Sequence, residues 1–207
     1  MRAKNPRTPP GPLTYEPGDI HALQTPLWRI HRVSGPHPSR WDDLRQYGPV
    51  SSMRWDPHPA PAGVHKGVGV SYASPYLDTA VAEAFQNERM VTLSGERALV
   101  GWVPVRPLRL LGVTGEWTIR NGASASLNSA CRSTCREWAR IIHQTWPELD
   151  GLLVTSTMTG KASVVLFTPA ASSFPASPAL STTLDQQTAA NLITPVASRF
   201  KWPLRRL

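Results

Sequence analysis

Arg29, Arg54, Tyr72, Glu83 and Ser156 are the side chains of this sequence that could do chemistry together: two guanidiniums that can bind anions, a phenol, a carboxylate and a hydroxyl. Arg29 lies in the alternating run Leu27-Trp-Arg-Ile-His-Arg-Val33, which predicts a strand. On that pattern Leu27, Arg29, His31 and Val33 share one face, and Trp28, Ile30 and Arg32 share the other. An arginine there is either a snorkelling edge residue or an anion ligand, because the guanidinium fork matches phosphate oxygens. Arg54 sits in Met53-Arg-Trp-Asp-Pro57, inside a segment without periodicity. Tyr72 and Glu83 belong to one stretch, Gly69 to Glu83, which reads as a short strand from Val68 to Tyr72, a turn at Ser74-Pro75, and a helix. Ser74 suits the N-cap and Pro75 the first helical position. By helical angle Glu83 points away from the stripe of Leu77, Val81, Ala84 and Phe85, so alone it reads as an exposed glutamate. Ser156 closes the β-rich run Gly151-Leu-Leu-Val-Thr-Ser156.

The elements that must position these groups form a mixed α/β pattern. Leu99 to Val105 and Arg109 to Val113 read as strands. Residues 128 to 146 form the clearest helix, with Asn128 as its cap and Cys131, Cys135, Trp138, Ile142 and Thr145 on one stripe. The two cysteines read as a pair of small buried thiols. Gly151 to Ser156 and Ser163 to Thr168 flank a hairpin loop, Met158-Thr-Gly-Lys161. Residues 34 to 66 read as a long loop whose tryptophans must pack on something, hence an ordered loop over a cleft. A short helix is expected near Leu184 to Leu192. The division is a disordered or draped Pro-rich basic arm (1–20), a catalytic domain (21–170), and a Ser/Pro/Ala-rich extension with a basic end (171–207).

Familiar motifs fail. Gly69-Val-Ser-Tyr-Ala73 lacks the last glycine of a nucleophile elbow. Gly67-Val-Gly69 lacks the third glycine of a dinucleotide fingerprint, and Gly160-Lys161-Ala162 is no P-loop. No His/Cys set has metal-ligand spacing, so no metal is expected. The net charge of +8 suggests nucleic acid at first sight. Yet Arg2, Lys4, Arg7, Arg199, Lys201, Arg205 and Arg206 lie in two terminal tails without acids, and the remainder carries only +1. That distribution argues against direct nucleic-acid binding. Pro-rich sequence follows the basic start where a signal peptide would be apolar, and no apolar run approaches about 20 residues. The expectation is a soluble protein of a reducing cytoplasm.

Taken together, Leu27-Trp-Arg29-Ile-His-Arg32, Met53-Arg54-Trp-Asp-Pro57, Gly69-Val-Ser-Tyr72, Ala80-Val-Ala-Glu83-Ala-Phe and Asp150-Gly-Leu-Leu-Val-Thr-Ser156 with Val164-Val-Leu-Phe167 resemble, in order, the RES family, named for its Arg, Glu and Ser. Members are typically toxins encoded beside an Xre-type antitoxin. The resemblance implies an ADP-ribosyltransferase-like single domain, with a split mixed β-sheet around an NAD cleft. It implies NAD as substrate, with hydrolysis, phosphorolysis or ADP-ribosylation of a protein as the activity. Arg29 and Arg54 would bind the diphosphate, Tyr72 would pack on nicotinamide or ribose, Glu83 would stabilise the sugar cation, and Ser156 would bond substrate or position Glu83 or an arginine. Met53 stands where the family often has Gly, and the Pro-rich insertion after Asp56 and the basic tails are additions to the common core. A catalytically silent interaction module is the rival reading.

Overall fold

The alternation from Leu27 to Arg32 forms a strand between two apolar layers. Leu27 is buried in one of them, while Trp28 and Ile30 pack into the other. The computed structural model describes residues 3–207, so Arg2 of the expected basic arm lies outside the described residues. In chain order the elements are β1 (Ile20–Leu23), β2 (Leu27–Arg32), β3 (Tyr47–Gly48), β4 (Gly63–Val64), β5 (Val70–Ala73), α1 (Leu77–Ala84), β6 (Val91–Leu93), β7 (Arg97–Trp102) and β8 (Leu108–Gly112). There follow α2 (Gly115–Arg120), α3 (Arg132–Thr145), β9 (Gly151–Thr155), β10 (Ala162–Phe167), β11 (Leu180–Thr183), α4 (Gln187–Phe200) and β12 (Leu204–Arg206).

Two sheets face each other. The larger has the order β1-β8-β9-β10-β5 and is antiparallel except for the β8–β9 pair; the smaller is β11-β7-β2. Leu27, Val100 and Trp102 of the smaller sheet meet Leu108, Leu110, Val164 and Leu166 of the larger one between them. Outside the larger sheet, α3 contributes Cys135, Trp138, Ala139 and Ile142 to a second core with Leu152, Val154, Val165 and Phe167. Outside the smaller sheet, α1 and α4 bury Val81, Phe85, Ala189, Ile193 and Ala197 on Leu99. A bridge between Trp28 and Ser74 joins the sheets at one corner. This is a mixed α/β single domain with a divided sheet, as expected.

β9 is anchored at its start. Asp150 receives both guanidinium nitrogens of Arg106 at 2.7 Å and the Arg109 N–H at 2.8 Å. Next to it, Gly151 has a φ of 150°, and a Cβ there would run into the carbonyl of Val165 on β10. Gly151→Ala is therefore expected to cost about 3 kcal/mol, because only backbone movement relieves the overlap. Urea midpoints of the two proteins check this.

Several boundaries differ from the expected ones. α1 starts at Leu77: Ser74 does not cap it, but accepts from the Tyr76 N–H and donates to the Ala162 carbonyl. α3 starts at Arg132, with Cys131 at the cap position; Cys131 is exposed and only Cys135 is buried. Asn128 instead bridges two strands, donating to the Val113 carbonyl and accepting from the Thr155 N–H. The described part of the arm lies draped over α2 and α3, because the buried indoles of Trp117 and Trp138 find their acceptors on Thr14 and Pro6. Residues 180–206 form β11, α4 and β12, which pair with β7, pack on α1 and pair with β6 respectively.

Candidate active site

β10 runs antiparallel to both β9 and β5. The carboxyl ends of β5 and β9 therefore lie at the same end of the sheet, where ligands of open α/β sheets tend to bind. α1 leaves from the first and Ser156 follows the second. There the Ser156 hydroxyl donates to Glu83 Oε1 at 2.5 Å, although the two residues are 73 apart in sequence. Glu83 Oε2 accepts from Gln86 Nε2 at 3.2 Å, so both oxygens of the carboxylate are oriented. The same Ser156 oxygen accepts the N–H groups of Met158 and Thr159, at 3.1 and 3.3 Å. A hydroxyl has one proton and two lone pairs. All three are in use, so the hydroxyl is committed to Glu83 and to its own loop.

Tyr72 pairs with Val165, which pairs with Leu152, so alternation places Tyr72 on the same sheet face as Ser156. Its hydroxyl is buried with no partner among the described residues. Burial, reinforced by the Asp56 charge, pushes the phenol above its ordinary range and keeps it neutral.

Arg54 comes to the same end from the loop before β4. One Nη1 bond reaches the Ala130 carbonyl and a 3.8 Å contact reaches Cys135 Sγ, at the start of α3. Nη2 and Nε have no partner among the described residues. The loop is ordered by Asp56, which sequence reasoning did not single out. This buried carboxylate accepts from Arg45 Nη2 at 2.9 Å, the Val50 N–H at 2.8 Å and the His58 N–H at 3.2 Å, and it pairs with His58 Nδ1. Burial alone would raise the Asp56 carboxyl, but the bonds from His58 and Val50 and the Arg45 charge outweigh it and hold the group far below the usual carboxylate range. Trp55 beside it is buried against the α3 core.

Arg29 is on β2, next to the strand position bridged to Ser74 at the end of β5. It lies on the same face of β2 as Leu27, and its Nη1 donates to the carbonyls of Trp41 and Asp43 at 2.9 and 3.2 Å. Burial pushes its guanidinium down to about 10, with Asp43 and Asp42 working against that. Its immediate role is to hold the start of the loop, where Trp41 packs edge-on against Trp102 and Phe174. Among the described residues no three His, Cys, Asp or Glu side chains converge as a metal centre would require. No helix is long and apolar enough to cross a membrane among them.

The RES domain family matches residues 26–186, more than three quarters of the chain. The chain belongs to the RES family. A chain of the crystal structure of the M. tuberculosis MbcT–MbcA toxin–antitoxin complex shares the fold, with a TM-score of 0.57 at 15% identity over 86% of this RES chain and 92% of that one. No curated protein matches the sequence. Within the RES segment lie all five candidate residues; α4 and β12 lie beyond it.

Proposed function

We propose that this RES protein cleaves the nicotinamide–ribose bond of NAD, with water or phosphate as acceptor, and acts as the toxin of a toxin–antitoxin pair. The observation that carries the reading is the Glu83–Ser156 contact: one oriented carboxylate at the carboxyl end of the sheet. The reaction needs one carboxylate and no general acid. The bond from C1′ breaks with its electron pair going to the ring nitrogen, which is already cationic in NAD, so nicotinamide leaves neutral and unprotonated. What remains is an oxocarbenium-like sugar. Glu83 offsets its charge and accepts from ribose hydroxyls. The acceptor oxygen then bonds C1′ and its proton is released.

The free nitrogens of Arg54 suit the diphosphate, and Tyr72 offers its ring to the nicotinamide ribose and its hydroxyl to a polar atom. Arg29 holds the loop and brings a second cation, which a phosphate would favour. The membership in a family of toxin–antitoxin systems, and the likeness to a chain of such a complex, support an antitoxin partner, which we take to be of Xre type.

The test is nicotinamide release from NAD by the purified chain, with and without inorganic phosphate. Release stimulated by phosphate, with ADP-ribose 1″-phosphate as product, names phosphate as acceptor; free ADP-ribose names water. Label from NAD appearing on a polypeptide would instead assign a mono-ADP-ribosyltransferase. No release, together with no thermal stabilisation by NAD, would overturn the reading in favour of an interaction module.

A further inference from the structure

α1 and the hairpin loop that follows β9 are fastened by three side-chain contacts in a row. Ser156 meets Glu83, Thr159 meets Thr79 through their hydroxyls at 2.8 Å, and Lys161 Nζ meets Asp78 at 2.6 Å. The helix is read backwards as the loop is read forwards, so the two run antiparallel. Thr79 and Glu83 are one turn apart and share a helix face.

The proton directions follow from what each group can do. Asp78 and Glu83 are acceptors. Thr79 donates to Asp78 Oδ1 at 3.4 Å, so the proton between the two threonines belongs to Thr159, whose oxygen in turn accepts the Lys161 N–H at 3.3 Å. The loop thus sends two hydroxyl relays into α1, each starting at its backbone N–H groups and ending on a helix carboxylate. Thr159 belongs to both. Its N–H is bound by Ser156, and its hydroxyl is bound by Thr79.

We propose that Thr159, anchored by the fully buried Thr79, is a positioning residue for catalysis: through its own amide it fixes the Ser156 hydroxyl, and so the orientation of the Glu83 carboxylate. The assignment rests on the NAD-cleaving reading above. The flanking ion pair joins the buried Asp78 to Lys161 and Arg199, whose side chains are partly exposed. In the hydroxyl pair Thr79 is fully buried and Thr159 partly so.

The experiment compares wild type with Thr159→Val, which keeps the shape and removes the hydroxyl, and with Thr159→Ser, which keeps the hydroxyl and removes the methyl. Thr79→Val should reproduce the first. The expected result for Thr159→Val is a kcat about tenfold lower, with KM for NAD within about twofold, since the loss is one of alignment. Thr159→Ser should restore kcat. A merely structural threonine would instead rank the variants by unfolding midpoint, with valine at least as good as serine. Equal kcat for valine and wild type, or losses that follow the midpoint, would overturn the proposal. Hydrogen exchange at the Met158 and Thr159 amides is the second readout and needs no turnover: both should exchange faster in Thr159→Val. Unchanged exchange rejects the tether even if the wild-type chain releases no nicotinamide. Absent wild-type release with faster exchange in the variant rejects the role in catalysis and with it the NAD reading, and keeps only the tether.

Discussion

Glu83→Gln is expected to lower nicotinamide release by about 10²- to 10³-fold, the scale on which one preorganised electrostatic group acts in a closed site. The variant should remain folded. Glutamine still presents a carbonyl oxygen to the Ser156 proton, so the 2.5 Å contact keeps an acceptor. Only Gln86 must turn its amide away from a new N–H₂, and Gln86 is partly exposed and free to do so. The measurement is kcat by product chromatography beside a thermal midpoint. A midpoint within a few degrees and a collapsed kcat would separate charge stabilisation from structural support. Undiminished kcat would remove Glu83 from the mechanism.

Asp56→Ala is expected to cost about 3–5 kcal/mol, as removal of one member of a buried charge pair does, or roughly 10 °C in midpoint for a chain of this size. The variant strands Arg45 and leaves His58 and the Val50 N–H without their acceptor. Because Arg54 and Trp55 precede Asp56 directly, NAD cleavage should fall as well. The loss is also pH-dependent. The folded-state carboxyl titrates well below the unfolded one, so its contribution is complete above the unfolded value of about 3.9 and disappears as pH falls through the folded value. The stability gap between wild type and Asp56→Ala should be constant from neutral pH to about pH 5 and shrink below about pH 4. A gap that widens on acidification would contradict the arrangement. Urea titrations at several pH values decide between them.

The parts of this molecule that could be read in the sequence are those with a local period. Leu27 to Arg32 alternates because Trp28 and Ile30 face one apolar core while Arg29 and His31 follow Leu27 on the other face, and the stripe of α3 is plain because solvent lies along its other side. The helix expected near Leu184 to Leu192 is in fact α4, which starts at Gln187 and runs on through Pro195 to Phe200. A proline ends a helix by local rules, but here Ala189, Ala190, Ile193, Val196 and Ala197 bury a stripe that outweighs the missing N–H. The loop before β4 has no period at all; its order comes from a single carboxylate and one buried tryptophan, which only the folded chain brings together. Among the site residues, the angle of Glu83 was legible and its environment was not. It does point away from the apolar stripe, yet it faces Ser156 and not water. The resemblance that grouped the five residues gave no hint that Arg29 would spend one nitrogen on loop carbonyls, or that Thr159 would stand behind the serine.

The carboxylate and the serine come from different halves of the molecule. Glu83 rides on a helix packed against the smaller sheet, and Ser156 ends a strand of the larger one. The contact therefore joins a helix covering one sheet to a strand end of the other, and its alignment reports how the two are packed. On the proposed function, a protein that shifted α1 against the loop after β9 would silence cleavage with the pocket open. Such inhibition by wedge would not compete with NAD, whereas a plug in the pocket would.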